Sequence, residues 1–267
     1  MSKPQPPVFT RRTLDELTIR DEPSFRHVEL YADLKEVMRR AGYSFRVLPK
    51  SRTARADRAL LLNLTFWSAD SGGDVLIEDD IDADVVAHAA WHHLADRALA
   101  GAPGEKPSVE ALFLGEAVAS AFDVYLVGRL LGHAPRSTFL ETQVPAMADA
   151  AAEAGLDEDE FERLLQSIAD DPDRAFNDLR ELLFDATVAL LACSGPEEAY
   201  AALCTFEPHR FAPLLHRYEL SNWVLRARAL GDARGDDTRA HAIDRTLRQE
   251  KVGLDWLAAN WIAPALR

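Results

Sequence analysis

The stretch Asp84-Val-Val-Ala-His88-Ala-Ala-Trp-His92-His93-Leu-Ala-Asp96 decides how this chain is read. Its composition predicts a helix, and on a helix residues i and i+4 share one face, one turn apart. His88 and His92 therefore present two imidazoles side by side, the arrangement a zinc site on a helix needs. A second helix is predicted over Val109–Leu131, and it carries Glu116. Two histidines one turn apart and a carboxylate on the next helix make a three-ligand zinc pattern with a fourth position left for water.

Working outward, Phe25 to Arg40 places Val28, Tyr31, Leu34, Val37 and Met38 at helical spacing, and Gly42 is a stop signal. Tyr43 to Pro49 alternates and reads as a strand. Ala59 to Trp67 reads as a buried strand, Ser71-Gly-Gly-Asp as a turn, and Val75 to Glu78 as a short strand. Asp82 stands where it can cap the histidine helix, and Ser108 where it can cap the glutamate helix. The Pro-rich first 25 residues read as an arm with one short element.

Beyond residue 80 no strand is expected. Helices are predicted at 144–154, 157–169, 173–193, 196–205, 208–230 and 236–263. The fold class is thus α+β: a small sheet with the two site helices (1–140), followed by an all-helical half (141–267) packed on it as one continuous unit.

The region from about Leu60 to Leu131 resembles the catalytic core of gluzincin metallopeptidases. His88-Ala-Ala-Trp-His92 and Glu116 in Leu114-Gly-Glu-Ala-Val-Ala carry the resemblance. It implies a zincin-like fold with zinc held by His88, His92 and Glu116. Ser120 and Asp123 share a stripe with Glu116, and either is a candidate to hydrogen-bond a ligand histidine from behind.

The chain departs from the family at one position. The signature H-E-x-x-H supplies its general base from the Glu, and Ala89 stands there instead. General acid–base help is worth about 10²–10⁴-fold, so ordinary peptide hydrolysis is not expected. Glu78, Asp96 and His93 are the nearest replacements by sequence, and none occupies the family's base position. Asp96 could instead be a ligand. His93 lies about 100° round the helix from His92.

The resemblance also implies a Tyr or His that stabilises an oxyanion. Tyr218, His209, His216 and His241 qualify by residue type alone. His209 and His216 share a helix face, a faint second metal pattern.

Three readings follow. One is a degenerate zincin acting as a binding or regulatory module on an unidentified protein or peptide partner. Another is a zinc-dependent peptidase or amidase with a base from elsewhere. The last is a metal-free helical scaffold or interaction protein.

Composition bounds these readings. With 48% hydrophobic and 28% charged residues the chain can bury a sizeable core. A net charge of −14 argues against general nucleic-acid binding. No run approaches the roughly 20 apolar residues of a membrane span, and the N-terminus lacks a signal-peptide core, so a cytoplasmic location is expected. The basic stretch Lys35–Arg58 is read as a solvated face, or else as a docking patch for an acidic partner. Cys193 and Cys204 do not make a disulfide framework. Trp223, Trp256 and Trp261 fall at helical spacing and are read as packing residues.

Overall fold

The structure is a computed structural model that describes residues 9–48, 75–101, 107–134, 136–215, 217–230 and 237–267, without the side chains of residues 217, 218, 226, 229 and 230. It is α+β and mostly helical. The expected strand over Ala59–Trp67 and the turn at Ser71 lie outside the described residues.

The first helix, α1 (Glu29–Arg40), forms because Tyr31, Leu34, Val37 and Met38 fall on one buried stripe. A short 3₁₀ turn, Glu22–His27, occupies the start of the region predicted as a single helix. Gly42 ends α1 at φ +58°. Its N–H reaches the Arg39 carbonyl while the Tyr43 N–H reaches that of Met38. This termination favours a residue without a side chain.

Strands β1 (Thr10–Thr13), β3 (Ser44–Val47) and β4 (Val75–Leu76) form a mixed sheet, antiparallel between β1 and β3 and parallel between β3 and β4. A parallel pair, β2 (Thr18–Arg20) and β5 (Asp80–Asp82), stands apart from it. The N-terminal segment therefore holds two strands rather than one short element, and a strand extends past residue 80. Both N-terminal strands are polar, Thr-Arg-Arg-Thr and Thr-Ile-Arg, and owe their conformation to distant partners rather than to apolar alternation.

Arg20 clamps the second pair through ion pairs to Asp80 at 3.0 Å and Asp82 at 2.6 Å. This engages the Asp82 carboxylate, which sits at the N-cap position without making a side-chain capping bond. The expectation that Asp82 caps the histidine helix is thus corrected.

That helix, α2 (Ala83–Leu99), packs on α3 (Val109–Leu130). Ser108 caps α3 by accepting from the Ala111 N–H at 2.9 Å. The interhelix approach is close because small residues meet: a Cβ at Gly115 would lie 3.1 Å from that of Ala95.

Helix α3 is apolar nearly all round. Its length and a mean hydropathy of 1.5 would suffice to cross a membrane, contrary to the expectation that no run approaches this. With 89% of that window buried inside the protein, it is the central core helix.

The remaining helices surround α3. They are α4 (Thr138–Glu153), α5 (Glu158–Asp170), α6 (Pro172–Ala192), α7 (Pro196–Cys204), α8 (Arg217–Leu230) and α9 (Thr238–Gln249). Helix α4 starts six residues earlier than predicted and carries Pro145 inside it. The stretch 208–230 holds a 3₁₀ turn at Ala212–Leu214 before α8.

The predicted 236–263 helix is broken. After α9 come α10 (Gly253–Leu257), a π-helical turn (Ala258–Ile262) and a last short helix, α11 (Ala263–Ala265). Asn177 fixes the break, its Oδ1 accepting from the Gly253 N–H at 3.2 Å. The turn delivers Trp261 to Trp91 of the histidine helix, with ring centroids 6.5 Å apart.

One apolar cluster includes residues from both sides of residue 140. Within it Arg180 is fully buried and ion-paired to Asp244 and Glu181, and Arg248 joins the same carboxylates and Asp185. The described part of the basic stretch is also engaged internally: Lys35 with Glu22, Arg39 with Asp15, and Arg40 with Glu36 and the Leu266 carbonyl.

Candidate metal centre

Helices α2 and α3 bring His88, His92 and Glu116 together, with one ligand atom of each inside 4.8 Å of the others. The two Nε2 atoms lie 3.2 Å apart. The His92 Nε2 is 3.3 Å from the Glu116 Oε2. Donors about 2.0–2.2 Å from a tetrahedral ion are separated by about 3.3–3.6 Å. One observed spacing falls at the lower end of that range and the other just below it, and the cluster could hold a metal ion.

Burial differs across the three. The His92 and Glu116 side chains are 7% and 9% exposed, whereas that of His88 is 26% exposed. His88 is thus the most exposed of the three donors.

Supporting groups hold the donors in place. The His88 Nδ1 donates to the Asp123 Oδ2 at 3.0 Å, which leaves the Nε2 lone pair facing the centre. Asp123 thus meets a histidine as expected, whereas the Ser120 hydroxyl donates to the Glu116 Oε1 at 3.1 Å rather than to a histidine, leaving Oε2 toward His92. Burial alone would raise the Glu116 carboxyl. The neighbouring His92, then His88 and the Ser120 hydroxyl, outweigh it and hold the group below its ordinary range. That keeps Glu116 in the anionic form a cation requires.

Asp84 adjoins the cluster although it is not among the residues expected there. It stands one turn before His88 on the same stripe, and that spacing was the signal for it. Burial, then the charge of Asp123, pushes its carboxyl up to about 6.

The other sequence candidates are not in the cluster. Ala89, which stands where an H-E-x-x-H motif has its Glu, is a buried methyl group only 2% exposed. Glu78 is exposed on the turn between β4 and β5, and Asp96 is exposed near the end of α2. Tyr218 falls on α8, and its side chain lies outside the described residues, as does His216.

His93 faces away and meets Tyr43 edge-on, with centroids 5.6 Å apart. Burial, then Arg97, pushes its imidazole pKa down. His209 accepts from the Phe211 N–H, and His241 packs edge-on against Phe184. Cys193 and Cys204 are free, partly buried thiols.

Comparison with known protein families, with curated proteins and with solved structures found no match.

Proposed function

We propose that this protein is a degenerate zincin-like module that binds zinc through His88, His92 and Glu116, lacks ordinary peptidase activity, and works by binding a protein or peptide partner. One observation carries the reading: a donor set at metal-ligand spacing adjoins a buried Ala89 where the family's base would stand. Zinc bound there would polarise a substrate carbonyl or lower the pKa of a bound water to about 7.

The chain's own residues divide the remaining work. Asp123 fixes the His88 tautomer, and Ser120 orients Glu116. Ala89 can neither accept a proton from water nor return one to a leaving amine. A zincin site without that residue keeps its affinity for the ion and loses its proton relay.

The test is a peptide-library cleavage assay on zinc-loaded protein, with a chelator control, for the parent and for Ala89→Glu. The reading expects no cleavage by the parent and chelator-sensitive cleavage by the variant. Chelator-sensitive cleavage by the parent would overturn it.

A second reading, a zinc-dependent hydrolase with a base from outside the motif, has one feature in its favour. The carboxylates of Asp84 and Asp123 both act electrostatically at His88. The parent arm of the same assay separates the two readings.

A further inference from the structure

The C-terminal segment after α9 is held at both ends. Asn177 of α6 fixes its start, the Oδ1 accepting from the Gly253 N–H at 3.2 Å and the Nδ2 donating to the Lys251 carbonyl at 3.3 Å. Arg40 of α1 fixes its end by donating to the Leu266 carbonyl. Between these clamps the chain leaves the α-helical path at Ala258–Ile262, where one π-helical turn packs on α1 and α2. Single π-helical turns are rare and recur at functional sites.

This turn begins a row of rings. Trp261, 5% exposed, lies 6.5 Å from Trp91 of α2 between centroids. Trp91 meets Phe122 of α3 edge-on at 5.4 Å, and Phe122 stacks on Tyr125 at 5.1 Å. The Trp91–Phe122 contact spans the same two helices that carry His88, His92 and Glu116. Its members also neighbour the cluster along the chain: Trp91 precedes His92, and Phe122 precedes Asp123, which bonds His88. Trp91 is fully buried, and its indole N–H has no acceptor among the described residues. No hydrogen bond therefore fixes that ring, and its place depends on the side chains packed on it.

We infer that Trp261 is a positioning residue of the His88–His92–Glu116 cluster. Pressed on Trp91 by the clamped C-terminal segment, it sets through Phe122 the spacing of α2 and α3, and with it the His88–Asp123 hydrogen bond. A close-packed interior answers a loss of volume by partial collapse into the space. Without the Trp261 ring, Trp91 follows into that space and α2 carries its histidines with it. That this geometry serves a metal rests on the proposed zinc reading, whereas the placement of the donors does not.

The test uses the full-length protein and three variants. Trp261→Leu keeps an apolar side chain and removes the ring, Trp261→Phe restores a ring, and Arg40→Ala releases the far clamp at an exposed site. Long-range proton–nitrogen correlation spectra of the metal-free protein, at a pH where the imidazoles are neutral, read the histidine tautomers. The parent and Trp261→Phe should show His88 protonated at Nδ1. Trp261→Leu should lose that signature while still folded, and Arg40→Ala should shift it the same way to a lesser degree. Cobalt(II) titration gives a second readout. Trp261→Leu should bind about tenfold more weakly, as when an outer partner of a ligand is lost, with an altered visible spectrum, and Trp261→Phe should match the parent. A ring with only a packing role would lower the melting temperature of both Trp261 variants and leave the histidines unmoved.

Unmoved histidine spectra in every variant that folds, or a Trp261→Phe protein as altered as Trp261→Leu, would overturn the inference. The metal-free spectra keep the two proposals separate. A protein that takes up metal equally in all forms, with unmoved histidines, loses only the role of Trp261. One whose His88 tautomer changes as expected but that takes up neither cobalt nor zinc loses only the metal reading.

Discussion

Asp123 on α3 accepts a hydrogen bond from the Nδ1 of His88 on α2 at 3.0 Å. The contact crosses between the helices that carry the candidate metal donors, so it sets tautomer, ring orientation and helix pairing together. Supporting carboxylates of this kind are typically worth about 10–100-fold in metal affinity. Asp123→Asn should weaken zinc binding by about that factor, read by competition with a chromogenic chelator. Unchanged affinity would show that the His88 ring is held by its packing alone.

The approach of the two helices depends on Gly115. A Cβ there already meets the Ala95 Cβ at 3.1 Å, so a branched side chain forces the helices apart. Overpacking of this kind costs about 1–3 kcal/mol. Gly115→Val should lower the denaturation midpoint accordingly. It should also weaken zinc binding, because His92 and Glu116 lie on the two helices it separates. A stable variant with full zinc affinity would show that the interface gives way locally.

Arg180 is fully buried and depends on Asp244 and Glu181 for compensation. Burial, opposed by Asp244, pushes its pKa down. Removing one partner of a buried pair costs about 3–5 kcal/mol because a charge is left uncompensated. Asp244→Ala should destabilise by about that much in urea titrations. Replacing Arg180 and Asp244 together by Met and Leu should cost less than the single change.

The start of α9 should be acid-sensitive. The Asp237 carboxylate accepts from the N–H groups of Arg239 and Ala240 and from the Ser108 hydroxyl, tying the starts of α3 and α9 together. Burial alone would raise its pKa, and these hydrogen bonds outweigh it and hold the group below the ordinary range.

A folded-state pKa below the unfolded value of about 3.9 means a contribution fully present above that pH and lost as pH falls through the folded value. Asp237→Ala should cost about 1 kcal/mol near neutral pH. The difference from the parent should shrink as the pH drops into that window. A difference that persists undiminished in acid would contradict the assignment.

The local parts of this architecture were legible in the sequence. The Ser108 cap, the glycine stop at Gly42 and the stripe of α1 are set by neighbours a few residues away. The same holds for His88 and His92 on one helix, and for Ser120 and Asp123 on the stripe of Glu116. What escaped depends on distant pairing. Strands β1 and β2 have almost no apolar signal and exist through β3 and β5. Asp82 has the residue type of a cap, but Arg20 engages it across the β2–β5 pair. The break before Gly253 is fixed by Asn177, far away in sequence. Asp84 had a readable spacing from His88, but its neighbour Asp123 arrives from another helix, so its perturbed carboxyl shows only in three dimensions.

The central claim is that His88, His92 and Glu116 hold zinc. The measurement that bears on it most directly is the metal content, by mass spectrometry, of protein purified without a histidine tag, for the parent and for His88→Ala. The account predicts near-stoichiometric zinc in the parent and its loss in a variant that still folds. A parent without zinc that cannot be loaded with it, or a His88→Ala protein that keeps its zinc, would contradict the account.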